Sequence, residues 1–318
     1  MRKQQNFAQP TFTQNTYEGE FAGKYIAAAL LSAKTLDNQY ITIMPNVKYK
    51  AVIQSVAVDS IVNDASCNFT TSGTVALSER ILEPKELQVN LELCKQEFVD
   101  SWEALQLGYS AFDEIPKDFN DFLISYVGGK VAQATEESIW RGTAATNGQF
   151  GGIYTALSSS VVAGGATAPV TSSVSGSITS ANVLTALNAL VDAIPATVYG
   201  KEDVLIYVPT NVVKAYQQAL SGGTAGANGW NNQMNVGEKP LNFQGIELAF
   251  CPGLAASAMV AAQKSNLYFG TGLLSDHNEV RVLDMANLDG SQNYRIIMRY
   301  TAGTQYGIGS DIAIHKNY

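Results

Sequence analysis

The chain has 318 residues, 46% of them apolar and only 15% charged, with 20 basic side chains against 28 acidic ones and a net charge of −8. That length allows one large domain or two to three small ones, and the 15 Tyr, 12 Phe and 3 Trp exclude a disordered chain. The acidic balance, with no basic run longer than Arg2-Lys3, excludes a protein that grips nucleic acid through its phosphates.

Residues 1–20 are polar, rich in Gln, Asn and Thr, and read as an arm. Phe21, Tyr25, Ile26, Ala29, Leu30 and Ala33 then fall at helical spacing and predict a helix from about Glu20 to Thr35. Residues 40–97 carry alternating or β-branched runs at Tyr40–Met44, Lys48–Val58, Thr74–Leu82 and Glu86–Leu93, with a turn-forming cluster over 63–73. They read as a long two-stranded hairpin with a polar tip. Such a hairpin is marginal alone in water and must lie on something.

Residues 117–142 are the best helix of the chain. Phe119, Phe122, Leu123, Tyr126, Val127, Lys130, Val131, Ala134 and Ile139 are expected to share one stripe, with Pro116 and Asp118 at the start and Gly142 at the stop. Gly128-Gly129 costs about 1 kcal/mol per glycine relative to alanine, which predicts a bend or a close backbone approach. Residues 148–179 are almost uncharged and rich in Gly, Ser and Thr; their first part reads as a crossover between substructures.

From Ser180 the pattern turns α/β. Val183, Leu184, Leu187, Leu190, Val191 and Ile194 predict a helix capped by Ser180 and ended by Pro195. The apolar run Val204–Val208 predicts a buried central strand. Pro209-Thr210-Asn211 opens a second helix with Val212, Val213, Tyr216 and Leu220. Ser221–Glu238 is a Gly- and Asn-rich loop, long enough to be functional. Short strands follow at Gly245–Phe250, Ala258–Gln263 and Asn266–Gly270, then a pair at Glu279–Met285 and Tyr294–Tyr300, and a last one at Gln305–Ile314. Arg281, Asp284, Arg295 and Arg299 give that pair one wet or neighbour-facing side.

No residue stands out for chemistry, so no catalytic, cofactor-binding or metal-binding residue is assigned and the chain reads as no enzyme. His277 and His315 sit in no ligand spacing and read as surface residues. Cys67, Cys94 and Cys251 form no disulfide or zinc pattern and read as buried or half-buried free thiols. The pairs Asp113-Glu114 and Glu136-Glu137 read as solvated or interface positions, with Glu137 able to pair with Arg141 at i+4. The Gly-rich 222–229 segment lacks the GxxxxGK[ST] pattern and is no phosphate cradle. The most apolar stretches, Tyr25–Ala33 and Leu248–Ala262, are too short for a bilayer, and no signal peptide is read, so synthesis in a reducing cytoplasm is expected.

The order of elements is polar arm, long hairpin, long helix, small α/β unit and returning β pair. It resembles the major capsid proteins of tailed bacteriophages with the HK97 fold, an α+β class. The resemblance is carried by Phe119–Arg141 with the Asn-Gly-Gln-Phe-Gly-Gly-Ile after it, by Ala181–Leu220, by Gly245–Gly270, and by Val280–Ile314 with its Tyr-Arg-Ile-Ile-Met-Arg-Tyr. It implies an N-terminal arm (1–45), an E-loop hairpin (46–98), a peripheral domain with a spine helix (99–175), an axial domain (176–274), and a peripheral β pair with a C-terminal return to the axial domain (275–318). The 221–238 loop would point towards a five- or six-fold axis.

The implied function is an icosahedral shell around the double-stranded DNA of a tailed phage, assembled in the host bacterial cytoplasm from pentamers and hexamers of this chain. The implied partners are a portal protein and a separate scaffolding protein, with a decoration protein left open, DNA enclosed but not specifically bound and no membrane contact. The lack of a coiled-coil-like leader leaves a separate scaffold or a removed pro-segment, and Met1 favours the first. The alternatives are an encapsulin-type shell holding cargo enzymes, which would usually begin with a compact helix, and a motif-poor enzyme. Some relatives cross-link through an E-loop lysine; no lysine lies between Lys50 and Lys85 here, so no cross-link is expected.

Overall fold

The computed structural model describes residues 34–58, 75–94, 117–164, 168–172, 177–220, 241–272, 281–285 and 293–316, with positions 62, 64, 67, 73, 290 and 291. The predicted arm, most of the Glu20–Thr35 helix, the Asp113-Glu114 pair, the 221–238 loop and His277 lie outside the described residues. Of that first helix, the turn α1 (Lys34–Asp37) is described.

The strands of the middle segment have three different partners. Among the described residues strand β2 (Ala51–Val58) pairs only with β3 (Val75–Leu82), in a separate two-stranded sheet. Strand β1 (Thr42–Met44) instead runs parallel to β10 (Leu267–Thr271). Strand β4 (Lys85–Cys94) pairs along ten positions with β12 (Asn293–Tyr306). The reason is matching apolar rows: Leu87, Val89, Leu91 and Leu93 of β4 stand opposite Tyr300, Met298, Ile296 and Tyr294. Strand β11 (Arg281–Asp284) pairs with Tyr294–Ile297 of β12, so the expected returning pair forms. Both β4 and β11 pair with Tyr294–Ile297, and both β4 and β10 pair with Ala302. Hence β4 lies on one edge of β12, while β11 and β10 follow one another along the other.

A second sheet has the order β5-β13-β9-β6-β8-β7. Its strands are β5 (Val170–Ser172), β6 (Val204–Val208), β7 (Asn242–Phe243), β8 (Ile246–Phe250), β9 (Met259–Gln263) and β13 (Ala313–His315). All five residues of β6 are buried, because the strand separates two cores. Val204, Ile206 and Val208 face the helices α4 (Val183–Asp192) and α5 (Thr210–Leu220). Leu205 and Tyr207 face the other way, into a core shared with Phe269, Met298 and Tyr300 of the first sheet. Period-two alternation thus joins the two sheets through one strand.

The predicted long helix is α2 (Lys117–Arg141). Its buried face differs from the expected stripe. Val127 and Ile139 are buried as predicted, but Tyr126 and Ala134 are exposed, and Thr135, Glu136, Ser138 and Trp140 are buried. The C-terminal third of the helix is wedged between other elements on several sides, so burial there no longer follows one stripe. Gly128 has open space where a Cβ would stand, so no backbone of the described residues approaches it closely.

Helix α3 (Ile153–Ala163) occupies the segment expected to be a bare crossover. Its sequence (Ile-Tyr-Thr-Ala-Leu-Ser-Ser-Ser-Val-Val-Ala) has no charge and no side-chain cap. Packing makes the helix: Ile153 and Leu157 are buried in the shared core. The predicted Ser180 cap of α4 is replaced by a neighbouring turn. The Thr179 N–H and O–H donate to Asn182 Oδ1 (2.7 and 3.3 Å), and the amides of Asn182 and Val183 donate to Thr179 O (3.2 and 2.9 Å). The expected last strand is interrupted: β12 ends at Tyr306, a 3₁₀ turn covers Gly309–Asp311, and β13 follows.

Candidate assembly surfaces

The hairpin β2–β3 has two unlike faces. Directly opposed residues in an antiparallel pair share a face. One face therefore carries the pairs Val52–Ile81 and Val56–Leu77, with Val75 beyond them, interrupted by Gln54–Glu79. Its apolar members stand in solvent: Val52 is 50% exposed, Val56 59%, Val75 65% and Leu77 74%. The other face carries Ile53–Arg80 and Ser55–Ser78, and the two serine hydroxyls are 2.6 Å apart. An uncovered row of β-branched residues on a two-stranded sheet is what a protein normally buries.

The base of the hairpin is fixed. Leu82 is fully buried against Gly270, where a Cβ would come within 2.2 Å of it. The Arg80 guanidinium lies 4.0 Å from the centre of the Tyr306 ring, and Tyr306 is hydrogen-bonded to Ser160. The Gln305 amide donates to Ile81 O at 2.8 Å, and Lys50 pairs with Glu83 at 3.3 Å. The Lys85 ammonium donates to three carbonyls, Ala144 O (3.1 Å), Thr146 O (3.2 Å) and Gln149 O (2.9 Å).

The outer face of the first sheet carries an ion pair beside the exposed Leu283. Arg295 pairs with Glu92 at 2.8 Å, and Arg299 stands opposite Gln88. A groove of about 610 Å³ runs between β4 and the segment leaving α2, lined by Lys85, Glu86, Gln88, Asn90, Asn147 and Arg299. It holds no acid–base pair or nucleophile with a base. Among the described residues, no group of His, Cys, Asp and Glu could hold a metal ion, and no helix is long and apolar enough to cross a membrane.

Two ionisable groups read as exposed are buried. Glu136 accepts from the Thr35 N–H (3.1 Å) and O–H (2.6 Å), and Trp140 Nε1 donates to Thr35 Oγ1 at 3.0 Å. Gly253 is pressed against the same turn of α2; a Cβ there would lie 2.1 Å from Glu136 O. Burial pushes the Glu136 carboxyl above its usual range, and the hydrogen bonds from Thr35, Gly253 and Trp140 only partly offset this. Glu137, by contrast, is half-exposed and pairs with Arg141 at 3.6 Å, as the i+4 spacing predicts.

His315, expected at the surface, is fully buried in β13. Its Nδ1 is 3.4 Å from Ser172 Oγ, and Nε2 has no partner among the described residues. Burial lowers its pKa, against a smaller upward pull from the Ser172 backbone. Proximity to the chain end suggested exposure; pairing of β13 between β5 and β9 buries it. Cys251 is buried and Cys94 half-buried as expected, but Cys67 is exposed. Burial and the nearby Glu136 carboxylate push the Cys251 thiol well up, which keeps it inert.

The sequence matches no protein-family model and no curated protein. The structure does match others along almost its whole length. The capsid of a native GTA particle superposes with a TM-score of 0.65 at 16% identity, covering 98% of this chain and 95% of that one. The chain has the HK97-like capsid fold. The capsid of Myoviridae phage XM1 gives a TM-score of 0.57 at 10% identity, covering 98% of this chain and 100% of that one. The capsid of cyanophage P-SCSP1u gives 0.53 at 11% identity, with 98% and 94% covered. At such identities what is shared is the backbone plan, so the surfaces of this chain must be read from its own residues.

Proposed function

We propose that this chain is the major capsid protein of a tailed phage, assembling with itself into an icosahedral shell that encloses double-stranded DNA. The carrying observation is the whole-length match to capsid subunits. The uncovered row Val52, Val56, Val75, Leu77 and Ile81 supports it, since burying side chains of this size contributes roughly 1.5–3 kcal/mol each. The low charged share of 15% fits a surface largely covered by neighbours. The net charge of −8 fits a wall along which packaged duplex slides.

In this reading residues 1–45 are the arm, 46–98 the E-loop, 99–175 the peripheral domain with its spine helix, 176–274 the axial domain, and 275–318 the peripheral β pair and the return strand. The hairpin lies over the adjacent subunit, the shell is built of pentamers and hexamers, and assembly takes place in the host cytoplasm. A portal protein and a separate scaffolding protein are the partners. The chain performs no catalysis.

Negative-stain microscopy and sedimentation of the purified protein test this. Closed shells or capsomer rings are expected. A monodisperse monomer or dimer at high concentration, unchanged by an added scaffolding partner, would overturn it. Shells run on a denaturing gel should give a single band, because the hairpin tip has no lysine to form a covalent ladder.

A further inference from the structure

An apolar row can meet a neighbour productively only if the hairpin leaves its own subunit in a fixed direction. One anchor fixes a position but leaves the hairpin free to swing. Three contacts at or beside the hairpin base reach different elements. Leu82 is sunk beside Gly270, Arg80 lies on the Tyr306 ring, and Lys85 reaches the segment that leaves α2.

The third anchor is chemically complete. An ammonium has three N–H donors, and Lys85 has three carbonyl acceptors. The acceptors sit on a compact turn held by its own bonds. Thr146 N donates to Thr143 O (2.9 Å), Gln149 N to Thr146 O (3.3 Å), and Thr143 N to Gln149 Oε1 (3.2 Å). The Gly152 amide then closes the turn on Gly142 O at 2.8 Å. The carbonyls are thus pre-arranged, and the lysine ties the first residue of β4, three positions past the hairpin's Leu82, to the segment leaving α2.

We propose that Lys85 is a positioning residue for assembly: with Arg80 and Leu82 it mounts the hairpin in one direction within the isolated subunit, before any neighbour arrives. The proposal rests on the shell-forming reading for its purpose but not for its geometry. Pre-setting a binding element lowers the ordering cost of association.

The test uses the full chain with Cys67→Ser and Cys94→Ser, and spin labels at Gln54→Cys on the hairpin and Ser159→Cys on α3. Pulsed electron resonance on the unassembled subunit reads the distance between them. A single narrow distribution is expected, broadening at least about twofold in Lys85→Met while the melting temperature stays within about 4 °C. In the unlabelled chain the same substitution should cut the yield of closed shells about tenfold or more. An equally narrow distribution at the same mean in folded Lys85→Met overturns the proposal. If Lys85→Met does not fold, Lys85→Gln, which keeps two donors, repeats the measurement. Loss of folding in both would also overturn it, making Lys85 a residue of general stability. If the parent forms no shells even with an added scaffolding partner, the shell reading fails, and the distance measurement still decides the mount.

Discussion

Strand β2 (Ala-Val-Ile-Gln-Ser-Val-Ala-Val) and strand β6 (Val-Leu-Ile-Tyr-Val) are both rich in β-branched residues, yet they sit in opposite environments. Strand β6 has neighbours on both edges and a core on each face; every residue is buried. Among the described residues strand β2 has one neighbour, β3, and it shows valines to solvent. The difference teaches that this subunit is stabilised in one region and left unfinished in another. Apolar residues of β6 hold the subunit together, whereas those of the hairpin await a second molecule.

Truncation inside the finished region should cost the most. Ile206→Ala removes a fully buried side chain between α4 and the central strand, and about 2–5 kcal/mol of stability should be lost. Thermal or urea unfolding reads this; a loss near zero would mean β6 is not the keystone of the two cores. Next comes the node around Glu136. Glu136→Ala leaves the buried Thr35 amide without its acceptor, an expected loss of about 1–3 kcal/mol, seen as a lower melting temperature.

A smaller effect is pH-dependent. The folded pKa of His315 lies below its unfolded value of 6.5, so the unfolded chain takes up the proton more readily. The histidine's contribution is present above pH 6.5 and is lost as pH falls towards the folded pKa. Glu136 acts with the opposite sign. Its folded pKa is raised above 4.5, so stability falls as pH rises from 4.5 through the folded value. Melting curves of the parent should therefore drop between pH 7.5 and 5.5 by more than those of His315→Gln, while Glu136→Gln should flatten the profile on its own, more acidic side. Matching slopes in parent and variant would show that neither buried group is linked to folding.

The smallest effect on the subunit is expected at the hairpin. Val56→Lys with Leu77→Glu, opposite charges across the pair, should change subunit stability by no more than about 0.5 kcal/mol per substitution, because both side chains are exposed. The same pair places two charges in an interface meant to be apolar, so closed shells should disappear from the sedimentation profile. Shells that persist would show that the row is not buried on assembly.

The periodic parts of this fold were legible in the sequence. The long helix at 117–141, the helix–strand–helix run at 183–220, and the strands near 246–271 appear within a residue or two of their expected bounds. Helix α3 was hidden because its residues favour no helix by themselves and are held by Ile153 and Leu157 in the core. The burial of Glu136 was hidden because its partners, Thr35 and Gly253, are about a hundred residues away in either direction. The three-carbonyl seat of Lys85 was equally invisible: its acceptors are backbone atoms, which no side-chain pattern marks.

By itself the sequence determined most of the helices and strands and the presence of a hairpin within the middle segment. Those properties follow from local periodicity, turn chemistry and residue type. Only the tertiary structure decided that β4 leaves the hairpin to pair with β12, that His315 and Glu136 are buried, and that the hairpin's apolar face is the one left open. Each depends on which distant strand edge or helix turn meets the residue, a choice made by the fit of whole surfaces.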